Sequence, residues 1–401
     1  MRGVKPLMLL SATMLTVSTF AQQGIFYYVN TNQDFINSKT TDVILNDNGM
    51  VILNECSNAK YEKPAIQLIE LNKSFIKTSE NIVKVEKLSN VSSFAKLANG
   101  NYQVYANVES GSKTPVQIMV STGYKDLEQN VLVDNQNEMF VSDVVLDGNV
   151  FVISTHIADK NKYDIQLTRF DATSGEKQWT KDVSSEANES ADAIVADNAG
   201  NIVVLGRKYN DNATEYIPIL YKLDKDGNLL WKKSGVDMPS NFYSQTITIS
   251  KTGDIYYACG MTQRTGALQT KVIRLDANGN TKRTVNINEF TGNGSLCLSS
   301  GKILLYGSKF YTDNKQVVTK GAYVIIDNEL NELCNHSLGV NDKPDSDFKY
   351  NSTSSSDLQS AVELESGSIV MVGKVTMPQA GGTEKQNNTL VVIADAYGNY
   401  K

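Results

Sequence analysis

A glycine followed by alternating apolar residues recurs seven times along this chain, beginning at Gly49, Gly100, Gly148, Gly200, Gly253, Gly301 and Gly367. Two residues on, the side chain is apolar or aromatic in every copy: Val51, Tyr102, Val150, Ile202, Ile255, Ile303 and Ile369. The same holds four residues on, at Leu53, Val104, Val152, Val204, Tyr257, Leu305 and Met371. Six residues on, the side chain is small in every copy except the first, which carries Glu55. A period of two with β-branched and aromatic enrichment predicts a strand, and the glycine ahead of it supplies the positive φ of a tight hairpin turn. The glycine spacings are 51, 48, 52, 53, 48 and 66 residues.

A second landmark follows each glycine by 22 to 28 residues, at Asn72, Thr122, Asp171, Asp224, Asp276, Asp327 and Asp395. Five of the seven are aspartates that close an apolar run, and four lead to a glycine at Gly175, Gly227, Gly279 or Gly398. An Asp whose carboxylate accepts backbone N–H groups just ahead, with Gly in the left-handed position, makes another hairpin turn. Each unit therefore reads strand a, Gly turn, strand b, a longer loop, strand c, Asp turn, strand d. A four-stranded unit at this period cannot bury both faces alone, so such units stack in a ring. The expected fold is all-β: a seven-bladed β-propeller of four-stranded antiparallel blades, its ring closed by the N-terminal strand. The units run approximately over 41–90, 91–139, 140–190, 191–240, 241–293, 294–340 and 357–401, in one domain over 22–401, with a polar insert at 341–356. The last unit stops just past its Asp turn, and the run Ile25-Phe-Tyr-Tyr-Val-Asn30 is read as its missing outer strand.

The leading residues join Arg2 and Lys5 to an apolar stretch from Leu7 to Phe20 and a small-residue site ending at Ala21. That is the pattern of a secretory signal peptide, and the apolar run falls short of the ~20 residues a membrane span needs. Cleavage near Ala21 implies a secreted, periplasmic or cell-surface protein without membrane insertion. Removing residues 1–21 takes two positive charges and no negative ones, leaving a net charge of −8 from 36 Lys and Arg against 44 Asp and Glu. Such a balance disfavours a nucleic-acid partner.

The runs Phe170-Asp-Ala-Thr-Ser-Gly-Glu-Lys-Gln-Trp179 and Leu223-Asp-Lys-Asp-Gly-Asn-Leu-Leu-Trp231 pass from a strand-ending Asp through a Gly turn to a tryptophan. Here the unit resembles secreted bacterial propeller repeats related to the quinoprotein and outer-membrane-assembly propellers. That resemblance implies the fold. The tryptophan recurs in two units of seven, where it is read as blade packing, and no quinone or other cofactor is expected.

A calcium loop would need a ligand five residues before the turn glycine, where Lys222 and Arg274 stand instead, so no metal site is expected. His156 and His336 fall in different units, which gives no triad. Cys259 takes the small slot of its unit, Cys297 and Cys334 belong to strands a and d of one unit, and Cys56 has no evident partner, so all four are read as free thiols.

The a–b and c–d turns are short and alike, whereas the b–c and d–a connections are long, vary in every unit and open on one face. Variation on one face of a rigid scaffold is where binding usually lives. The candidate binding residues there are Tyr163, Tyr209, Phe242 and Tyr243, with Asp342, Asp345, Phe348 and Tyr350 in the insert. Tyr61, Tyr311, Glu186, Glu189, Asp237, Glu289, Phe290 and Asp347 accompany them. This points to a binding or assembly scaffold for a protein or carbohydrate ligand. The competing reading is a glycan-active hydrolase or lyase with carboxylates or a tyrosine at the channel mouth.

Overall fold

The computed structural model describes residues 24–28, 35–60, 62, 64–109, 113–120, 138–159, 162–184, 188–211, 214–235, 242, 244–262, 268–313, 316–338, 355–378 and 385–400. A short strand, β1 (Gly24–Tyr28), precedes the first unit, β2 (Asn37–Asn46), β3 (Gly49–Ser57), β4 (Ala65–Asn72) and β5 (Lys77–Lys84). The second unit holds β6 (Leu88–Lys96), β7 (Tyr102–Glu109) and β8 (Lys113–Val120). The third holds β9 (Glu138–Leu146), β10 (Asn149–Asp159), β11 (Lys162–Asp171) and β12 (Lys177–Asp182). β13 (Glu189–Ala196), β14 (Ile202–Tyr209), β15 (Tyr216–Leu223) and β16 (Leu229–Ser234) make the fourth. The fifth comprises β17 (Ser244–Ile249), β18 (Ile255–Thr262), β19 (Leu268–Leu275) and β20 (Thr281–Asn288). β21 (Thr291–Cys297), β22 (Ile303–Asp313), β23 (Gln316–Ile326) and β24 (Glu332–Ser337) form the sixth. The last contains β25 (Ser355–Glu363), β26 (Ile369–Pro378) and β27 (Lys385–Ala394).

Each unit is an antiparallel sheet in chain order, and the fold is a β-propeller. Six sheets have four strands, not seven. The second has three, and the stretch expected to hold its outer strand, 121–137, lies outside the described residues. β1 pairs with β27 along its length, from Gly24 opposite Ile393 to Tyr28 opposite Thr389, and so is the fourth strand of the last sheet. The first strand a starts at Asn37, ahead of the first unit's expected start at 41, and Ser355 and Ser356, expected in the insert, already belong to β25. The rest of the insert and residues 1–21 lie outside the described residues.

Buried apolar side chains form one slab between each pair of neighbouring sheets, the first and last included, where Val43, Ile52 and Phe75 pack with Val370, Val391 and Ile393. All fourteen residues of the two alternating slots are buried, from Val51 to Met371. The a strands lie nearest one another and form the inner wall.

The small residue six places after each glycine has a specific cause. Strand a carries a β-bulge in six units, and in five it falls opposite the step between the fifth and sixth residues after the unit's glycine, as at Gly206, Gly307 and Gly373. The bulge bends strand a over its partner. A Cβ on Gly307 would sit 1.9 Å from the Thr291 carbonyl oxygen, and one on Gly373 would sit 1.9 Å from that of Asp357. In the first unit the bulge comes one residue earlier, opposite Leu53 and Asn54, which is why Glu55 is allowed there. The fifth unit has no bulge in this ladder and carries Cys259. Gly307→Ala or Gly373→Ala should therefore cost roughly 1–3 kcal/mol in denaturant unfolding, while Glu55→Ala stays within about 0.5 kcal/mol.

The Asp turns form as expected: Asp224 Oδ1 accepts the N–H groups of Asp226 and Asn228 at 2.9 and 2.8 Å, and Asp276, Asp327 and Asp395 do likewise. An asparagine four residues on turns its amide back to the same carboxylate, at Asn228, Asn280, Asn331 and Asn399. Thr122, read as the second unit's turn, lies outside the described residues.

These turns also join the units. Gln103 donates to the Gly175 carbonyl at 3.1 Å, Lys181 to that of Asp226, Trp231 to Ala277 at 3.2 Å, Arg274 to Asn328 at 2.6 Å and Tyr323 to Gly398 at 2.6 Å. Tyr28 of β1 repeats the move at the first unit, donating to the Phe75 carbonyl at 2.5 Å. Trp179 and Trp231 lie over Gly227 and Gly279 of the next unit's turn, which makes both tryptophans packing residues.

Candidate functional site

The b–c face of the third, fourth and fifth units gathers a row of aromatic rings. Tyr163 is the second residue of β11, Tyr209 closes β14, Tyr216 opens β15, and Phe242 lies in the connection before β17. Successive ring centroids are 5.7, 5.5 and 5.0 Å apart, tilted at first and edge-on at the Tyr216–Phe242 step. The three tyrosines are half-buried and Phe242 is fully buried, so the row descends from the surface into the slab between two sheets. Hydroxyl contacts hold it in place: Tyr216 donates to the Phe242 carbonyl, and the Tyr209 and Ser190 hydroxyls lie 3.1 Å apart.

Beneath the rings runs a charged floor. The Arg207 guanidinium lies 5.1 Å from the Tyr216 centroid and 5.3 Å from that of Phe242, a cation–π placement on two faces. It grips Asp192 with two bonds, Nη2 to Oδ1 at 2.9 Å and Nε to Oδ2 at 3.0 Å. Gln245 donates to the same carboxylate at 2.5 Å and accepts from Tyr257 at 2.9 Å. Burial pushes the Asp192 carboxyl up while Arg207 and Gln245 hold it back. A bidentate, partly desolvated pair of this kind is stiff and offers fixed polar groups beside apolar ring surface.

Of the expected binding residues, Tyr163, Tyr209 and Phe242 come together. Phe242 is an internal support for the row rather than a surface contact. Tyr243, Asp342, Asp345, Phe348 and Tyr350 lie outside the described residues, as do Tyr61, Glu186, Asp237 and Asp347. Glu189 is not in a loop. It begins β13, is fully buried, and accepts from the Tyr221 hydroxyl with Lys232 at 3.5 Å. Phe290 is buried as well, and Tyr311 stands within β22. Tyr216, Arg207, Asp192 and Gln245 were not singled out from sequence. The available signal was Asp192, an acid set inside the strand run Ser190-Ala-Asp-Ala193, which is the bulged residue of β13.

His156 sits within β10, opposite Glu138 and Asp164, and His336 packs in β24 against Tyr323 and Tyr400. None of the four cysteines forms a disulfide. Cys297 and Cys334 do fall on strands a and d of one sheet, and burial lifts the Cys56 and Cys259 thiols to about 12 and about 11. Among the described residues, no three His, Cys, Asp or Glu side chains converge as metal ligands.

No family model matches the chain, and no curated protein matches it. Among solved structures it is similar to the subtype N11 neuraminidase-like protein of A/flat-faced bat/Peru/033/2010, with 11% identity and a TM-score of 0.47 over 94% of this chain and 95% of that one. A subtype N10 neuraminidase-like protein of A/little yellow-shouldered bat/Guatemala/060/2010 gives 10% identity and 0.43 over 77% and 92%. A mutant of AofleA from Arthrobotrys oligospora gives 10% and 0.45 over 80% and 91%.

Proposed function

We propose that this chain is a secreted or periplasmic scaffold, a seven-unit propeller closed by β1, that binds a glycan or protein ligand at the b–c mouth of its third to fifth units. The observation that carries this reading is the row Tyr163–Tyr209–Tyr216, half-exposed and locked from below by Phe242, Arg207 and Asp192. Rigid tyrosines offer apolar contact area at low entropic cost, and the ion pair beside them supplies orientation.

The test compares wild type with Tyr163→Ala and Tyr209→Ala on a glycan array and in a pull-down of secreted proteins. Each substitution should weaken binding of the ligand so found by about tenfold, roughly 1.4 kcal/mol, with the fold retained. Phe242→Ala is unsuitable, since it would empty a core position. Equal binding by wild type and the double variant would remove the site from this face. Turnover of a glycan that survives both substitutions would favour the hydrolase reading instead.

A further inference from the structure

The outer edge of a sheet is a row of unpaired backbone N–H and C=O groups, ready to pair with another strand. Five of the six four-stranded sheets blunt that edge in two ways. Their outer strands β5, β12, β16, β20 and β24 all carry charge, such as Lys77, Glu80 and Lys84 on β5 or Lys282 and Arg283 on β20. Each also holds a β-bulge just past its c–d turn, as at Leu230 of β16 and Leu333 of β24. A bulge twists the edge away and interrupts the ladder for anything laid alongside it.

β1 has neither protection. Gly24-Ile-Phe-Tyr-Tyr28 contains no charged residue, and its pairing with β27 runs over all five residues without a shift in register. It is the end strand of its sheet, and no described strand lies on its other side. Its two faces are already engaged, for Ile25 packs in the slab between the last two sheets and Tyr28 in the slab between the last and the first. What remains open is the edge itself, an unbroken run of backbone donors and acceptors.

We infer that this edge pairs with the same edge of a second copy of the chain, β1 against β1 in antiparallel sense, so that four strands from each copy form one continuous sheet. Charge argues for a copy. A foreign strand would find no charge on β1 to select it, whereas a twofold axis through Phe26 makes each edge the complement of the other without one. That axis sets Ile25 opposite Tyr27 of the second copy and Gly24 opposite its Tyr28, and opposes no like charges anywhere along the pair. The same operation on β16, with Lys232 and Lys233, or on β20, with Lys282 and Arg283, would gather four cations on one short strand pair. Five residues a side make a small interface, so the dimer should form with a Kd on the order of 10–100 µM.

Sedimentation velocity of the purified chain, from about 1 to about 500 µM, tests the assignment. The chain should pass from monomer to dimer across that range. Hydrogen exchange at the two ends of the range should show slower amides in residues 24–28 of the dimer, with β5, β12, β16, β20 and β24 unchanged. Phe26→Lys and Phe26→Glu should each stay monomeric alone and form a heterodimer when mixed, a rescue that a loss of stability cannot produce. A peptide of residues 22–30, added to wild type, should compete for the edge and return the dimer to monomer. If a Phe26 variant does not fold, exchange and peptide competition on the wild type decide the matter. A wild type that is monomeric throughout, a dimer whose β1 amides exchange as fast as in the monomer, or a dimer indifferent to the peptide would each overturn the assignment. Tyr163→Ala should leave the association unchanged, which separates this surface from the aromatic row.

Discussion

A variant lacking residues 22–30 is expected to unfold at a temperature lower by roughly 10 °C, a loss of about 3–6 kcal/mol. Three contributions make up this loss. All five residues of β1 pair with β27, so deletion bares the outer edge of a strand whose Leu390, Val391, Val392 and Ile393 are fully buried. Ile25 leaves the slab between the last two sheets, and Tyr28 leaves the slab between the last and the first. The Tyr28 hydroxyl, pushed up to about 12 by burial, also gives up its bond to the Phe75 carbonyl, the link from the last unit to the first. Scanning calorimetry of the truncated chain, with and without a synthetic peptide spanning residues 22–30, checks the result. The peptide should restore part of the loss by adding to the vacated edge. An unchanged melting temperature would mean that packing between the first and last units closes the ring without β1.

The second large effect is on the pH dependence of stability. An acid whose carboxyl is raised in the folded state ionises first in the unfolded chain. Its contribution is therefore fullest below about 4 and is lost as the pH rises to the folded value, about 6 for Asp42 and about 7 for Asp143. Asp143→Asn should accordingly be more stable than wild type by roughly 2 kcal/mol at about pH 8 and nearly equal to it at about pH 4. The turn acids have the opposite sign. Backbone N–H bonds hold Asp171 and Asp276 below the usual carboxylate range, so their contribution is present above about 4 and disappears on further acidification. The two families thus act in separate windows. Urea unfolding from about pH 3 to about pH 8 should give a wild-type profile that rises and then declines, and a flatter upper limb for Asp143→Asn. An identical upper limb in both proteins would show that Asp143 ionises freely in the fold.

The architecture was legible because each unit repeats the same local chemistry. Val51 and its six counterparts, followed two residues later by Leu53 and its own, are what a sheet buried on both faces requires, and the Asp turns carry their mechanism in their spacing. Glu55 looked like an irregularity in the repeat. It follows from a bulge on the partner strand, which a reading of one strand at a time cannot contain. The candidate site was half legible for a related reason. Tyr163 and Tyr209 could be placed on the b–c face from loop position, but the row exists because Tyr216 and Phe242 carry it across a boundary between units. Arg207 and Asp192 meet through a cross-strand neighbourhood that register alone defines. Phe242 in particular looked like a surface aromatic because the connection that holds it is long, whereas burial is decided by what the following sheet packs against it.

The six bonds traced above from one unit to the next unit's turn share a direction, since in each a side chain donates and a main-chain carbonyl accepts. The donor has been glutamine, lysine, tryptophan, arginine or tyrosine, while the acceptor asks nothing of the sequence except that the turn be made. A joint of this kind lets its two sides diverge independently. Units that share only a glycine, two apolar slots and, in five of seven, a turn aspartate can in this way still dock in order against one another.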